Sequence, residues 1–297
     1  MPKHRDLGFG TYTPDKAQTF RAILSMHMVI TRAVLEKARS RGFHTAPYLY
    51  LDLTAGPGFS NPEKTILGSP LIFLDLATRP LHKGRSEETF PPVPFEAHFF
   101  EKDVVFANEL KSNITDYLNA LTQSPIDFEY YLHPIDYADQ NQGVLAMLQQ
   151  WGYQKYRYGL VYIDPSGNIP DFELLARIPD LLPRIEILLH IAATPIKRRA
   201  QAHNAERLED FLNKFPKDYW LIRDPLQGDN YQWTFLMGSS AVNPKKNTPL
   251  FRGLKSQKFY PLNSPKGQKI FEKLHYTQRE LSKLRQPFLP NFLSDEP

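Results

Sequence analysis

The chain has 297 residues, 41% of them apolar, enough for one large α/β domain or for a domain with an appendage. It contains no cysteine, which excludes disulfides, thiolate zinc sites and any cysteine nucleophile, including the usual covalent route to cytosine C5 methylation. The net charge of +4 is uneven: from Pro195 onward 18 Lys and Arg face 10 Asp and Glu, a net +8, and before it 18 face 22, a net −4.

A basic later part on a near-neutral body fits a polyanionic partner, and fits a solvated basic surface equally well. No run reaches the roughly 18 apolar residues of a membrane span. The opening MPKHRDLGFG lacks the apolar stretch of a signal peptide, so the expected location is cytoplasmic.

Residues 1–12 read as an extended polar arm. Thr13-Pro14-Asp15 is a helix start, with a hydroxyl cap, a proline in the first turn and an acid at the positive end of the dipole. Phe20, Ile23, Leu24, Val29 and Val34 set an apolar stripe to about Arg41, where Gly42 ends the helix. Tyr48 to Gly58, YLYLDLTAGPG, then reads as a buried strand stopping at Asp52 and breaking into a turn. Gly56 and Gly58 flank Pro57, which bars helix and leaves main-chain atoms open to a ligand.

Gly68-Ser69-Pro70 starts a second helix over 71–78, and the charged, proline-rich 79–96 is a long loop, either a lid or a disordered insertion. Strands follow at 97–101, 127–132, 159–164 and 185–191, with helices at 103–121, 143–151 and 171–182 between them. A mixed helix over 198–215, strands at 219–223 and 233–239, and a final helix from Ser264-Pro265 to about Leu284 complete the pattern. Strands separated by helices at this rhythm predict a mostly parallel sheet.

Three strands end at carboxylates, Asp52, Glu101 and Asp164, and all should reach the edge where open α/β sheets bind ligands. A carboxylate offers two acceptor oxygens, so Glu101 suits the hydroxyls of a ribose. Asp136 suits either the exocyclic amine of an adenine ring or a plain loop cap. Asp164-Pro165-Ser166-Gly167 reads as a polar bracket able to hold an amine toward an electrophile, or as a simple strand-end turn. His98 reads as packing, and His190 as a core histidine or a crevice residue. Lys197, Arg198 and Arg199, with Lys245, Lys246, Arg252, Lys255 and Lys258 interleaved with Phe251, Phe259 and Tyr260, would suit single-stranded or flipped nucleic acid. No metal-ligand spacing and no Ser/His/Asp signature stands out.

The order DLTAGPG, FFEKD, VYIDPSG resembles the class I S-adenosylmethionine-dependent methyltransferase fold. The wording YLDLTAGPGF, GSPLI, HFFEKD, LVYIDPSG and HIAATPIKR resembles the three-Cys-motif partner family of bacterial methyltransferases, from the first long helix to Ser264–Phe271. The resemblance implies a Rossmann-like α/β fold: a seven-stranded, mostly parallel sheet with helices on both faces and the last strand antiparallel. It implies a helix-bearing segment 1–45, a core 46–242 and a basic extension 243–297 packed on that core. S-adenosylmethionine would lie at Asp52, Ala55, Gly56 and Gly58, its ribose at Glu101. Asp164 and Pro165 would take the place of the amine-gripping motif of N-methyltransferases.

The implied activity is methylation of a nucleic-acid base nitrogen, in DNA or RNA, with a protein partner from a neighbouring gene. The alternative is a non-catalytic partner of the same fold in a defence or modification system. One departure stands: Ser166 and Gly167 replace the second proline and aromatic ring that usually follow, with Tyr12, Phe59 or Tyr162 as substitutes for that ring.

Overall fold

A computed structural model describes residues 13–79, 94–121, 128–151, 157–165, 168–199, 208–224, 233–243, 248–249, 251 and 256–276. Helix α1 spans Thr13–Arg39 and leads into strand β1, Tyr48–Asp52, whose five residues are all buried. The chain then alternates α2 (Ser69–Ala77), β2 (Phe95–Phe100), α3 (Val104–Asn119), β3 (Phe128–His133), α4 (Val144–Gln150), β4 (Gly159–Ile163), α5 (Phe172–Leu181) and β5 (Ile185–Ala192). After α6 (Ala193–Arg199) and α7 (Leu208–Asn213) come β6 (Tyr219–Arg223), β7 (Trp233–Ser239), a small hairpin of β8 (Ala241–Asn243) and β9 (Thr248–Pro249), then β10 (Phe259–Pro261) and α8 (Pro265–Glu272).

The main sheet has eight strands in the order β10-β6-β7-β5-β4-β1-β2-β3. β3, β2, β1, β4 and β5 are mutually parallel, and β7 runs antiparallel between β5 and β6. The first seven strands match the expected mostly parallel sheet with its seventh strand reversed. The expected count of seven is corrected to eight, because β10 pairs antiparallel with the outer edge of β6. The late sequence Phe259–Pro261 is too short to stand out as a strand. It becomes one because Phe259, 1% exposed, needs the sheet to cover it.

Side chains of each strand alternate between two cores, as the two-residue pleat dictates. Leu49, Leu51, Val161, Ile163 and Ile187 join α4, α5, α7 and α8 on one face. Tyr48, Tyr50, Leu160, Tyr162 and Leu188 join α1, α2 and α3 on the other. Helices therefore cover both faces.

The buried stripe of α1 runs through Phe20, Ile23, Leu24, His27, Met28, Thr31, Arg32 and Leu35, with Val29 and Val34 only partly buried. Its polar members explain why the sequence stripe pointed elsewhere. His27 Nε2 lies 2.6 Å from Glu186 of β5, and its Nδ1 2.8 Å from the Tyr48 hydroxyl. Ser239 of β7 donates to the other oxygen of Glu186. A buried polar group costs free energy unless it is partnered, and here each partner sits on a different element. The network bolts α1 to β1, β5 and β7, and so fixes the N-terminal turns of α1 over the carboxyl edge of the sheet.

Two boundaries differ from the sequence reading. The expected helix 198–215 is two short helices, with 200–207 outside the described residues. The final helix ends at Glu272, and 277–297 lies outside the described residues. The arm 1–12 and residues 80–93 of the long loop are also outside them. No helix among the described residues is long and apolar enough to cross a membrane.

Candidate functional site

At the carboxyl edge of the parallel strands lies a cavity of about 1160 Å³. Its floor is the turn after β1. Gly56 and Gly58 adopt φ of +63° and +92°, left-handed values that side chains resist, so the chain doubles back tightly there. A Cβ on Gly56 would meet nothing within 4 Å, because this residue faces open space. A Cβ on Gly58 would sit 3.0 Å from Leu110 of α3, and the Gly58 carbonyl accepts from the Gly68 N–H at 2.8 Å. Gly56 and Ala55 line the cavity, and Gly58 shapes the turn beneath it.

Glu101 follows β2, the strand next to β1, and lines the same cavity. One carboxylate oxygen accepts from the Gly56 N–H at 2.8 Å, the other from the Asp103 N–H at 2.8 Å. Asp103 caps α3 through the Val105 and Phe106 amides. Burial pushes the Glu101 carboxyl up, with those two amides opposing it. The wall beside it is Asp136, which lines the cavity while accepting from the Ala138 N–H at 3.0 Å. Both readings of Asp136 from the sequence thus fit its place.

Asp52 does not line the cavity. It is fully buried under the turn, accepting from the Tyr50 hydroxyl at 3.1 Å and the Thr54 N–H at 3.3 Å. Burial pushes its carboxyl up to about 7, hydrogen bonds from Ser69, Thr54 and Tyr50 opposing and the Asp164 charge adding. The carboxyl reading of a cavity-lining group becomes that of a brace beneath it. Because its folded value lies above the ordinary 3.8, its contribution to stability is complete below about pH 4 and is lost as pH rises through about 7. We expect Asp52→Asn to be relatively more stable at high pH: its melting temperature minus that of the parent should rise between pH 5 and 8. A flat or falling difference would contradict this.

Asp164 follows β4 and lines the cavity 19% exposed. Its backbone N–H donates to Thr54 Oγ1 at 2.8 Å, which ties the β4 end to the β1 turn. Its side chain is met by two nitrogens. Lys16 Nζ of α1 lies 2.7 Å from Oδ2, and His190 Nδ1 of β5 lies 2.7 Å from Oδ1. The Tyr162 hydroxyl also reaches Oδ2, at 3.3 Å. Burial pushes this carboxyl up, but His190 and Lys16 outweigh burial and hold it well below the usual carboxylate range. His190 is therefore neither free in the crevice nor a plain core residue: it props Asp164, packed by Trp233 and Phe235 at ring distances of 5.3 and 5.5 Å.

Pro165 lines the cavity next to Asp164, and Ser166 and Gly167 lie outside the described residues. Of the three rings weighed as stacking partners, Tyr12 lies outside the described residues. Tyr162 borders the cavity while only 2% exposed, its ring packed 4.2 Å from that of Phe20. Phe59 lines the cavity.

Arg198 and Arg199 at the end of α6 also line the cavity, Arg199 with its guanidinium 4.6 Å from the Phe211 ring. Lys197 turns away, 5.4 Å from the Tyr276 ring. Lys245, Lys246, Arg252 and Lys255 lie outside the described residues. The interleaved aromatics are corrected: Phe251 and Phe259 are 0% and 1% exposed and belong to the core, where they complete the face under α1. No group of three His, Asp or Glu able to hold a metal exists among the described residues.

Sequence reasoning missed Lys16, Thr54 and the pairing of His190 with Asp164. Each is brought in by tertiary packing, and Lys16 is 148 positions from its partner. The only signal was its place in the first turns of a helix leading into β1.

No model of a known protein family matches the chain, and no curated protein matches it in sequence. Among solved structures, protein LPL1258 of Legionella pneumophila aligns at 12% identity and a TM-score of 0.41, over 80% of this chain and 92% of that one. The Escherichia coli protein yhhF, described as a methyltransferase, aligns at 13% identity and 0.30, over 65% and 78%. The 16S rRNA methylase ArmA aligns at 15% identity and 0.28, over 74% and 90%.

Proposed function

We propose that the chain is an S-adenosylmethionine-dependent methyltransferase acting on a base nitrogen of a nucleic acid, of the kind the three-Cys-motif partner resemblance implies. The observation that carries this reading is the meeting of the open Gly56 turn with Glu101 in one cavity whose other end holds Asp164. The donor set fits such a cofactor. Glu101 offers two oxygens to a ribose once they leave the Gly56 and Asp103 amides. Ala55 and Gly56 leave main chain bare for the amino-acid part, and Asp136 borders the adenine side. Asp52 acts from below, holding Tyr50, Thr54 and Ser69 in the shape of the turn.

When bound, the sulfonium supplies an already activated methyl group, so the protein has only to align a nucleophile with it. In this reading Asp164 and the main chain at Pro165 hold the acceptor amine, and Phe59 and Phe172 keep water from that end. Arg198 and Arg199 face the phosphates that accompany the base. The protein would act in the cytoplasm, with a protein partner from a neighbouring gene.

The second reading, a non-catalytic member of the same fold, is favoured by the full occupancy of Asp164 and by Ser166-Gly167 standing where an aromatic ring would follow. Titration calorimetry separates cofactor binding from its absence. We expect S-adenosylmethionine to bind, and Gly56→Trp, which places an indole in the open space at Gly56, to weaken it at least about 100-fold. No heat at millimolar cofactor would end the first reading. Binding without labelled-methyl transfer to DNA, RNA or protein would favour the second.

A further inference from the structure

Among the described residues the Asp164 carboxylate has three partners, and they differ in how firmly they are held. Tyr162 is 2% exposed and packed on Phe20. The His190 side chain is 12% exposed and wedged against Trp233 and Phe235. Lys16 is 31% exposed, at the end of a four-carbon stem, and it lines the cavity. Its helix cannot drift, because the buried His27 network pins α1 to the sheet. The result is a partly exposed amine on an anchored helix, resting 2.7 Å from Oδ2.

A nitrogen gripped through Oδ2 would have to sit there. One lone pair of Oδ1 is met by His190, and the two of Oδ2 are met by Tyr162 and Lys16. We infer that Lys16 is a built-in competitor for the acceptor seat. Its ammonium occupies the carboxylate until an acceptor amine displaces it, and so it sets the threshold an acceptor must pass. This rests on the reading of Asp164 as the amine-holding group. Lys16 is the more exposed partner of the pair, and its ammonium regains water as it leaves. A planar amine seated among the cavity's apolar residues gains burial that solvent does not give it. A weakly packed or non-planar amine does not, and Lys16 excludes it. Such a device raises selectivity by penalising the wrong ligand rather than by adding contacts to the right one.

The test is a labelled-methyl assay on the full chain, with total RNA and genomic DNA as separate acceptors titrated at saturating cofactor. Wild type is compared with Lys16→Met, which keeps the stem, and with Lys16→Arg, whose fork grips a carboxylate more firmly. S-adenosylhomocysteine binding to each is measured by calorimetry. We expect half-saturating nucleic acid to fall about fivefold in the Met variant and to rise in the Arg variant, with S-adenosylhomocysteine affinity unchanged. Opposite shifts from two substitutions at one position are not what a merely structural residue gives. Unchanged half-saturation in both variants overturns the inference. So does loss of S-adenosylhomocysteine binding in the Met variant alone, which would make Lys16 a cofactor contact. Wild type that binds no S-adenosylhomocysteine, or labels neither nucleic acid, removes the proposed function and this inference with it.

Discussion

Asp164→Asn is expected to lower methyl transfer about 100-fold or more, while cofactor affinity stays within about threefold. The carboxylate is met at 2.7 Å by both Lys16 and His190 and touches Tyr162, so its position is set from three sides. An amide in the same place presents a donor where the site is built from donors, and turns one contact into a repulsion. His190 and Lys16 then face each other without an anion between them. An acceptor amine held by that amide sits at the wrong angle, and small misplacements cost much in an in-line transfer. In the proposed reading the cofactor is held at the other end of the cavity, at Gly56 and Glu101, so its binding should survive. The measurement is transfer rate against calorimetric affinity on the same preparation. An Asn variant that transfers at the parental rate would remove Asp164 from the site.

Gly159→Ala is expected to leave little folded protein. Gly159 opens β4 and sits beside Leu49 of β1, and a Cβ there would come within 1.9 Å of the Leu49 carbonyl oxygen and 2.7 Å of its carbon. Both atoms are backbone in the centre of the sheet, where no rotamer change gives relief. Overpacking in a core costs about 1–3 kcal/mol when side chains are able to move, and more is expected here. Against a total stability of about 5–15 kcal/mol, that shift is large. Urea unfolding of the soluble fraction would show a midpoint well below the parent. An alanine variant with parental midpoint would mean that β1 and β4 pair differently.

These two residues show what could be read beforehand. The strands ending at Asp52, Glu101 and Asp164 were legible because a two-sided buried strand is a continuous apolar run and its end is marked by a polar residue. The turn was legible because Gly56, Pro57 and Gly58 exclude helix. The reach of Glu101 back to Gly56 followed from adjacency of β1 and β2. Asp52 misled, since a carboxylate at a strand end looks the same whether it faces a cavity or a buried hydroxyl. What decides between them is Tyr50, on the same strand, with its hydroxyl 3.1 Å away. The stripe of α1 misled for a related reason: His27 and Arg32 are buried, and polarity hid them from an apolar count. The nitrogens on Asp164 were out of reach altogether. Lys16 and His190 belong to distant stretches, and only the folded sheet and the anchored helix bring them together. The aromatics Phe251 and Phe259 looked like a nucleic-acid surface because they alternate with lysines and arginine. Burial reverses that reading.

The pairing of β10 with β6 changes where the molecule can be divided. The resemblance implies an extension from residue 243 packed on the core, and part of that segment closes the sheet: Phe259, Tyr260 and Pro261 meet Arg223, Ile222 and Leu221. Removing it would strip the outermost ladder and leave the amide and carbonyl row of β6 unpaired, an open invitation to join other chains edge to edge. A fragment designed to isolate the parallel half of the sheet would therefore have to keep this distant ribbon. The tail is a hem on the fabric of the sheet, and its loss would unravel solubility before it touched the chemistry.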